Sequence, residues 1–443
     1  MNQSTSDRPL LLILLSHDYL ARDLFDSGVL SHLRGQYDLL FVTTEGLGMD
    51  LTTFGQVAAV HRMTWLRTRL WEAAFGLRHL SGLDPIIKTQ VNRHAIFQRG
   101  TPGPIKRIVS ALHRFGLSGI VSSVIAKLLA MTASNFNAMP RMPTVALLPS
   151  GIKDLAWDDT VTFCRRHDIP SLTVTINWDN IAHKVFLQQP DRLGVWGEQG
   201  FLFARLFQKV PVKDIVTLGS PRFESYRNFS MSKTEARRKL DLPETARILL
   251  FAGAGVVFDE VSLIEEFDQA MNEGDLPADL YMVYKPHPKR HKRAAEPPLR
   301  PERYRHVRVW GGNGLTPLSD YPVLLSAVDA LVTPMSTMVL EGALMGLPAL
   351  GLAYDDPAHG DYSWDNARLN NHLHPIINSR WHVLCEARGE FLLNLRRLLD
   401  LIGDPGASDS ARSTARFILH DDGRSYAVRL VEALQGLVTE RQV

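Results

Sequence analysis

The chain has 443 residues, 45% of them hydrophobic and 22% charged, with 31 glycines and 25 prolines. This ordinary globular composition excludes a disordered, collagen-like or disulfide-framework protein, and the length predicts roughly two to three domains. With 49 Lys and Arg against 47 Asp and Glu, the net charge of +2 is too small to indicate a protein that grips nucleic acid along an extended track.

The two cysteines, Cys164 and Cys385, lack metal-ligand spacing and cannot form a disulfide framework, which indicates a reducing compartment. The longest early apolar run, residues 10–15, is too short for a signal sequence or a membrane span. We therefore expect a cytoplasmic protein.

Short apolar runs alternate with helical patterns in the first part of the chain. Strands are predicted at residues 10–15, 39–43, 144–148 and 171–176, with helices at residues 23–33 and 159–167. Strands that alternate with helices are typical of a parallel sheet covered on both faces. Residues 61–130 break this rhythm, and we interpret them as an insertion or an elaborated helical layer.

The alternation restarts after a charged stretch at residues 232–245, in which we place the joint between two domains. Strands are predicted at residues 247–252, 280–284, 330–333 and 349–352, with helices at residues 260–272, 321–328 and 336–345. The fold class is therefore α/β, with two doubly wound domains. We expect a first domain over residues 1–240, a second over residues 241–410, and a closing helical segment over residues 411–443 that is interrupted near residues 420–423.

In open α/β sheets, ligands bind beyond the carboxyl ends of the strands. One such strand exit is Lys285-Pro286-His287-Pro288, where the prolines fix the backbone and present His287 in one direction. An imidazole held there can donate a hydrogen bond to a phosphate oxygen. The cations around it are Lys285, Lys289, Arg290, Lys292 and Arg293. The alternative is a solvated basic loop with an incidental histidine.

A second strand exit leads into Ser336 and Thr337, which open a predicted helix. Backbone N–H groups at a helix start, together with two hydroxyls, suit an anion such as a phosphate. Glu341 falls one turn further on the same face, where its carboxylate can accept hydrogen bonds from a ribose. The alternative is ordinary capping of the helix by Ser336 or Thr337.

A third strand exit carries Gly253 and Gly255, which either permit close approach of a ligand to the backbone or form a tight turn. The pattern falls short of the full dinucleotide fingerprint. No metal site is predicted, because the sequence has no Asp-x-Asp at a strand exit and no His/Cys ligand cluster. Asp355-Asp356 and Asp421-Asp422 are interpreted as solvated turns.

Together these motifs resemble glycosyltransferases of the two-Rossmann-domain (GT-B) type, and within them the bacterial CDP-glycerol glycerophosphotransferases and capsule or surface polysaccharide transferases. Further matches lie at residues 176–180, 190–193, 195–198, 218–223 and 422–425. The resemblance runs from about residue 170 to the end of the chain and includes the first 150 residues only in their strand-first layout. It implies two Rossmann-like domains that face a central cleft.

The resemblance also implies roles for the strand-exit residues. The donor-binding set would be Gly253, Gly255, Lys285, His287, Ser336, Thr337 and Glu341. The histidine would contact the donor phosphate, the Ser-Thr pair would hold the phosphate or diphosphate, the glutamate would bind the ribose, and the glycines would let their loop approach the donor. The donor would be a UDP-, CMP- or CDP-activated substrate, with no bound cofactor or metal.

An inverting transfer also needs a group that takes the proton of the acceptor hydroxyl. The candidates are His17 and Asp18, just past the first strand, with Asp179 and Glu198 at later strand exits as alternatives. Each has a structural interpretation as well: Asp18 or Asp23 can cap the following helix, and His17 can be a turn histidine. A retaining mechanism would need no such base.

We thus expect a transferase that moves a glycosyl or glycerophosphoryl unit from a nucleotide-activated donor to a surface-glycan or lipid-linked acceptor. A non-hydrolysing UDP-sugar epimerase is an alternative of the same fold, and a catalytically silent subunit of glycan assembly is another. No residue reads the nucleotide base, so the sequence does not choose among UDP, CMP and CDP.

Charge is distributed unevenly along the chain. Residues 61–130 hold 11 Lys and Arg against Glu72 and Asp84, a surplus of +9, so the rest of the chain sums to −7. The surplus coincides with a partly helical apolar pattern formed by Trp65, Leu66, Leu70, Trp71, Phe75 and Leu77. One interpretation is a core helix with a solvated basic face. The other is peripheral contact with anionic lipid, or with a lipid-diphosphate acceptor, at the inner face of the plasma membrane.

Overall fold

The computed structural model describes residues 8–45, 47–48, 50–82, 103–132, 139, 141–253, 255, 258–288, 290, 299–311, 316–354 and 370–441. Backbone contacts divide the chain into two compact units, Met1–Glu224 with Ile418–Val443, and Ser225–Phe417. The first unit therefore ends before residues 232–245, where the sequence places the joint, and the end of the chain returns to it.

The first unit, as far as it is described, is built on seven parallel strands. They are β1 Leu10–Leu15, β2 Asp38–Thr44, β3 Gln56–His61, β4 Val145–Ser150, β5 Ser171–Thr175, β6 Arg192–Val195 and β7 Ile215–Thr217. Their order in the sheet is β3-β2-β1-β4-β5-β6-β7. The accompanying helices are α1 Asp18–Asp26, α2 Val29–Arg34, α3 Trp65–Gly82, α4 Gly103–Arg114, α5 Ser118–Met131, α6 Leu155–Arg166, α7 Asn180–His183 and α8 Glu198–Leu206.

The second unit has six parallel strands among its described residues. They are β8 Arg247–Ala252, β9 Leu280–Lys285, β10 Val307–Val309, β11 Ala330–Thr333, β12 Ala349–Leu352 and β13 His382–Cys385, in the sheet order β10-β9-β8-β11-β12-β13. The helices that follow the boundary between the units are α9 Glu224–Arg227, α10 Lys233–Lys239, α11 Glu260–Glu273, α12 Asp320–Ala327, α13 Met338–Leu344, α14 His374–Ile377, α15 Phe391–Asp400 and α16 Pro405–Ile418. The last helix, α17 Tyr426–Glu440, belongs to the first unit.

Both faces of the first sheet are covered. Successive side chains of a strand point to opposite faces, and β1 shows the result, since all six of its residues are buried. Leu12 shares a hydrophobic cluster with Trp157 of α6, whereas Leu11 shares another with Leu430 of α17. The predicted α/β class with two doubly wound sheets is confirmed.

Three predicted helices differ by more than one residue from the helices in the structure. The single helix predicted at residues 23–33 is wrong: α1 and α2 are separate, because Gly28 between them takes a left-handed φ of 75°. The helix predicted at residues 159–167 begins at Leu155, because Asp154 caps it by accepting N–H bonds from Ala156 (3.0 Å) and Trp157 (3.4 Å). The helix predicted at residues 336–345 begins only at Met338.

The last helix, α17, is fastened to the first unit through Arg429. Its guanidinium donates to the carbonyl oxygen of Leu218 (2.8 Å) and to the carboxylate of Asp422 (2.7 Å), and it lies against Gly219, whose φ is 81°. The matching segments 218–223 and 422–425 thus have a structural role here: they hold the end of the chain on the first unit.

Candidate functional site

The three strand exits singled out in the second half of the chain belong to adjacent strands. His287 follows β9, Gly253 and Gly255 follow β8, and Ser336 follows β11, and β8 pairs with both of the others. Carboxyl ends of parallel strands lie at one edge of a sheet. The structure therefore brings these predicted donor-binding residues to the same edge of the second sheet.

The two glycines let the loop after β8 pack against the loop after β9. The N–H of Gly253 donates to the carbonyl of Lys285 (2.9 Å), and a methyl group on Gly253 would lie 3.0 Å from the backbone nitrogen of His287. A methyl group on Gly255 would lie 3.3 Å from Nε2 of the same histidine. A role in holding His287, which the sequence did not predict, is thus visible for both glycines.

A buried carboxylate, missed at the sequence level, lies beneath this loop. Glu260 is 1% exposed, accepts a hydrogen bond from the hydroxyl of Tyr284 and lies 3.6 Å from Nη1 of Arg290. The backbone N–H of Arg290 in turn donates to the carbonyl of His287 (2.8 Å). Glu260 therefore fixes the turn that follows the histidine.

Lys285 does not belong to a solvated basic loop. It is 7% exposed, and its Nζ lies 5.0 Å from the ring centre of Tyr321 and 5.9 Å from that of Trp310. Such contacts stabilise an ammonium group against the faces of aromatic rings. Lys289, Lys292 and Arg293 lie outside the described residues.

The Ser-Thr pair precedes α13, with Thr337 at its N-cap position. The Thr337 side chain makes no capping hydrogen bond, and the hydroxyl of Ser336 lies 2.7 Å from that of Thr333. Glu341 is 5% exposed, and its Oε2 accepts a hydrogen bond from the hydroxyl of Tyr226 (2.5 Å). Thr337 therefore does not cap the helix with its side chain. The contact of Tyr226 with Glu341 was not predicted from the sequence.

Met335 fixes the loop that carries Ser336. It has a left-handed φ of 46°, which is strained for a residue with a side chain, and is only 8% exposed. A methyl group at Gly351 on β12 would overlap its Sδ and would lie 2.6 Å from Nε2 of His382. Burial lowers the pKa of His382 to about 3, so this imidazole is neutral.

In the first unit, His17 is the end of a short polar relay. Its Nδ1 lies 2.9 Å from the hydroxyl of Ser16, and that hydroxyl donates to Oδ2 of Asp154 (2.6 Å). The network is consistent with an Nδ1–H that donates to Ser16 and leaves Nε2 as a proton acceptor. Sequence reasoning missed Ser16 and Asp154, because the predicted helix began at residue 159 and hid the cap.

The other proton-acceptor candidates have different surroundings. Asp18 is exposed and accepts an N–H bond from Gly48 (3.0 Å), so neither it nor Asp23, which pairs with Arg22 and Arg222, caps α1. Asp179 lies half-buried before α7, and Glu198 is exposed in the first turn of α8. Three strand spacings, about 14 Å, separate the exits of β1 and β6, so His17 and Glu198 do not serve one hydroxyl.

Among the residues that the structure describes, no group of three or more His, Cys, Asp or Glu side chains could hold a metal ion. Asp355 and Asp356 lie outside those residues. No helix in the described ranges is both long and apolar enough to cross a bilayer.

Solved structures share this fold over nearly the whole chain. The protein UGT89C1 of Arabidopsis thaliana, in complex with UDP-L-rhamnose, has 12% sequence identity and a TM-score of 0.54, and the match covers 98% of this chain and 100% of that one. The calicheamicin glycosyltransferase CalG4 has 13% identity and a TM-score of 0.53, covering 98% and 99%. A Listeria monocytogenes protein assigned as a UDP-N-acetylglucosamine 2-epimerase has 12% identity and a TM-score of 0.52, covering 98% of both chains.

No protein-family model matches the chain, and no curated protein sequence matches it. At these identities, the structural likeness establishes the fold alone. The chain has the GT-B architecture of two Rossmann-like units.

Proposed function

We propose that this protein is a nucleotide-sugar-dependent glycosyltransferase. It moves a sugar or glycerophosphoryl unit from a UDP-, CMP- or CDP-activated donor to a surface-glycan or lipid-linked acceptor at the inner face of the plasma membrane. The observation that carries the proposal is the arrangement of His287, Gly253 and Ser336 on the adjacent exits of β9, β8 and β11. The GT-B fold, shared with a UDP-L-rhamnose complex, supports a nucleotide donor.

In this proposal the second unit binds the donor. His287 and Ser336 donate hydrogen bonds to its phosphates, and the nearby Lys285 adds a positive charge that stabilises the leaving group. The carboxylate of Glu341 accepts hydrogen bonds from the ribose, and the hydroxyl of Tyr226 orients that carboxylate. Trp310 and Tyr321 offer aromatic faces beside the ammonium group of Lys285.

In the first unit, His17 removes the proton of the acceptor hydroxyl as the oxygen bonds to the transferred unit and the bond between that unit and the nucleotide phosphate breaks, so that the nucleotide leaves with the electron pair. Its Nε2 accepts that proton, and Nδ1–H keeps its bond to Ser16, which is held by Asp154. Asp154 holds the Ser16 hydroxyl, and the hydroxyl in turn holds the imidazole ring in the orientation that a general base needs.

The proposal is tested with a thermal-shift panel of UDP, CMP, CDP, GDP and dTDP. A ligand that binds only the folded chain raises its apparent stability, so the nucleotide of the donor is expected to raise Tm and the others are not. No shift with any nucleotide contradicts the proposal.

An epimerase is the second candidate, because the Listeria protein matches with a TM-score comparable to those of the glycosyltransferases. An epimerase needs no acceptor, so incubation with UDP-N-acetylglucosamine alone would form the 2-epimer. The transferase proposal predicts that the sugar nucleotide is recovered without epimerisation. A catalytically silent subunit of glycan assembly, the third alternative, predicts instead that His287→Ala and Ser336→Ala leave the cell-surface glycan unchanged whereas deletion of the chain does not.

A further inference from the structure

Three helices of the first unit, α3, α4 and α5, form one layer. Leu77 of α3 packs with Leu112 of α4 and with Val121 and Ile125 of α5 in a small shared core. We call residues 65–82 and 103–131 the helical layer. Its inner side is part of the main core, since Trp71 and Phe75 are 5% and 2% exposed and belong to the same cluster as Trp157.

Polar contacts also fasten the helical layer to α6. Asp159 accepts hydrogen bonds from the guanidinium of Arg67, and Asp158 accepts one from Nε1 of Trp71 (2.6 Å). The layer is therefore a fixed part of the first unit, and its outer surface is a built feature of the fold.

The outer side of α5 is an exposed apolar stripe. Ser122 and Leu129 on its inner side are 1% and 7% exposed. The outer side carries Ile120, Val124, Leu128 and Met131, which are 63%, 52%, 57% and 74% exposed. These positions recur at a spacing of three to four residues, so they line one side of the helix. A helix that is apolar on two opposite sides normally buries both, and no described residue covers the second.

The same layer is strongly cationic. Trp65 and Leu66 of α3 and Phe115 after α4 add exposed apolar surface, at 73%, 61% and 74%. Exposed cations in the layer are Arg107, Arg114 and Lys127, whereas Arg62 beside it pairs with Glu45 (3.5 Å). The one acid among its described residues is Glu72, which pairs with Arg69 (3.0 Å). A cavity of about 480 Å³ between α3 and α5 combines the two properties, with Arg78 and Lys127 beside Ile120 and Val124.

We propose that the outer face of the helical layer docks on a bilayer that contains anionic phospholipids. The apolar stripe enters the boundary between headgroups and acyl chains, and the surrounding cations bind the lipid phosphates. A second copy of the chain fits less well, because two equal cationic faces would repel each other. The inference shares the membrane face with the proposed function but uses none of its donor chemistry, so a failure of flotation and a failure of nucleotide binding are distinguishable.

The test is flotation of the full chain with vesicles of phosphatidylcholine alone and of phosphatidylcholine with roughly a third phosphatidylglycerol. The protein is expected to float with the anionic vesicles and to be released by high salt, which screens surface charges. The Ile120→Gln/Leu128→Gln variant is expected to have at least about tenfold lower affinity for the anionic vesicles than the wild type. Lys127→Gln is expected to lower the affinity for the anionic vesicles about fivefold and to leave any binding to phosphatidylcholine vesicles unchanged.

Matched controls lie elsewhere on the first unit. Leu206→Gln changes an exposed leucine of α8 (51% exposed), and Lys213→Gln changes an exposed lysine, and both are expected to float as the wild type does. Circular dichroism checks that the variants fold. If the double variant Ile120→Gln/Leu128→Gln does not fold, the single variant Lys127→Gln still tests the proposal. Equal flotation with both vesicle types, or equal loss in controls and test variants, overturns the proposal. A dimer in solution that Ile120→Gln/Leu128→Gln abolishes, with no flotation, assigns the face to self-association instead.

Discussion

The side chain of Met335 occupies the space that Gly351 leaves open by having no Cβ atom. Met335 precedes Ser336 directly, and its left-handed φ of 46° sets the direction in which the loop after β11 leaves the sheet. The strained backbone is retained because the buried side chain is held between β12 and His382. The position of the proposed phosphate-binding hydroxyl thus depends on a glycine in the neighbouring strand.

Gly351→Ala is expected to push Met335 out and to displace Ser336. Overpacking of this kind lowers the free energy of unfolding by about 1–3 kcal/mol, and loss of one hydrogen bond to a charged phosphate raises the nucleotide Kd about tenfold. Chemical denaturation and nucleotide titration measure the two effects. Gly389→Ala is the matched control, because a methyl group there meets no atom within 4 Å. Equal Kd values for the two variants would contradict the role of Met335.

His17→Ala is expected to lower kcat by about a hundredfold to ten-thousandfold while leaving donor KM unchanged, because a general base acts on the acceptor. Ser16→Ala and Asp154→Asn act through the histidine and are expected to lower kcat by smaller factors; Asn preserves the cap of α6. Glu198→Gln provides the comparison. A loss of rate in Glu198→Gln but not in His17→Ala would identify Glu198, and not His17, as the base.

Asp158 makes stability depend on pH. Burial raises the pKa of its carboxyl from 3.8 to about 8, so the folded chain keeps a proton that the unfolded chain releases. The folded state thus binds more protons between these two values, and the free energy of unfolding falls as pH rises, by at most about 1.4 kcal/mol per pH unit. Above pH 8 the dependence ends.

Asp158→Asn removes this proton while its amide oxygen still accepts the hydrogen bond of Trp71. The free energy of unfolding of the variant minus that of the wild type is therefore expected to rise from pH 5 to pH 8. Urea denaturation at pH values across this range measures the difference. A constant difference would show that Asp158 is ionised in the folded chain.

Glu341 is expected to distinguish ribose from deoxyribose. Glu341→Gln should raise the Kd of the ribonucleotide about tenfold, as expected for a hydrogen bond to a charged group, and leave that of the 2′-deoxynucleotide nearly unchanged. Isothermal titration with both ligands gives the comparison, and Tyr226→Phe shows whether the bond of 2.5 Å from Tyr226 orients the carboxylate. An equal loss of affinity for both nucleotides would show that Glu341 does not bind the 2′-hydroxyl of the ribose.

Much of the fold was predictable because parallel strands buried on both faces are continuous apolar runs. The strands β1, β8 and β11 have the predicted limits for this reason. The short strands β6 and β10 were not predicted, since four residues at Arg192–Val195 and three at Val307–Val309 carry too little pattern. The sheet, and not the local sequence, makes them strands.

The apolar pattern at the start of α3 was predicted as one group, and the structure divides it. Trp71, Phe75 and Leu77 are buried, whereas Trp65, Leu66 and Leu70 are exposed. The exposed stripe of α5 was not predicted at all, because a helix that is apolar all round gives no periodic signal in sequence. Hydrogen bonds between side chains that are distant in the sequence were not predictable either: Asp154 lies 138 positions from Ser16, and Tyr226 lies 115 positions from Glu341.

The adjacent strand exits of the second sheet are expected to bind a nucleotide. Isothermal titration of the wild type and of His287→Ala with UDP, CMP and CDP tests it most directly, with His306→Ala as the control, since that histidine precedes β10 at the opposite end of the sheet. The wild type and His306→Ala are expected to bind one of the nucleotides, and His287→Ala is expected to have a Kd at least about tenfold higher. No binding by the wild type, or equal binding by all three proteins, would contradict it.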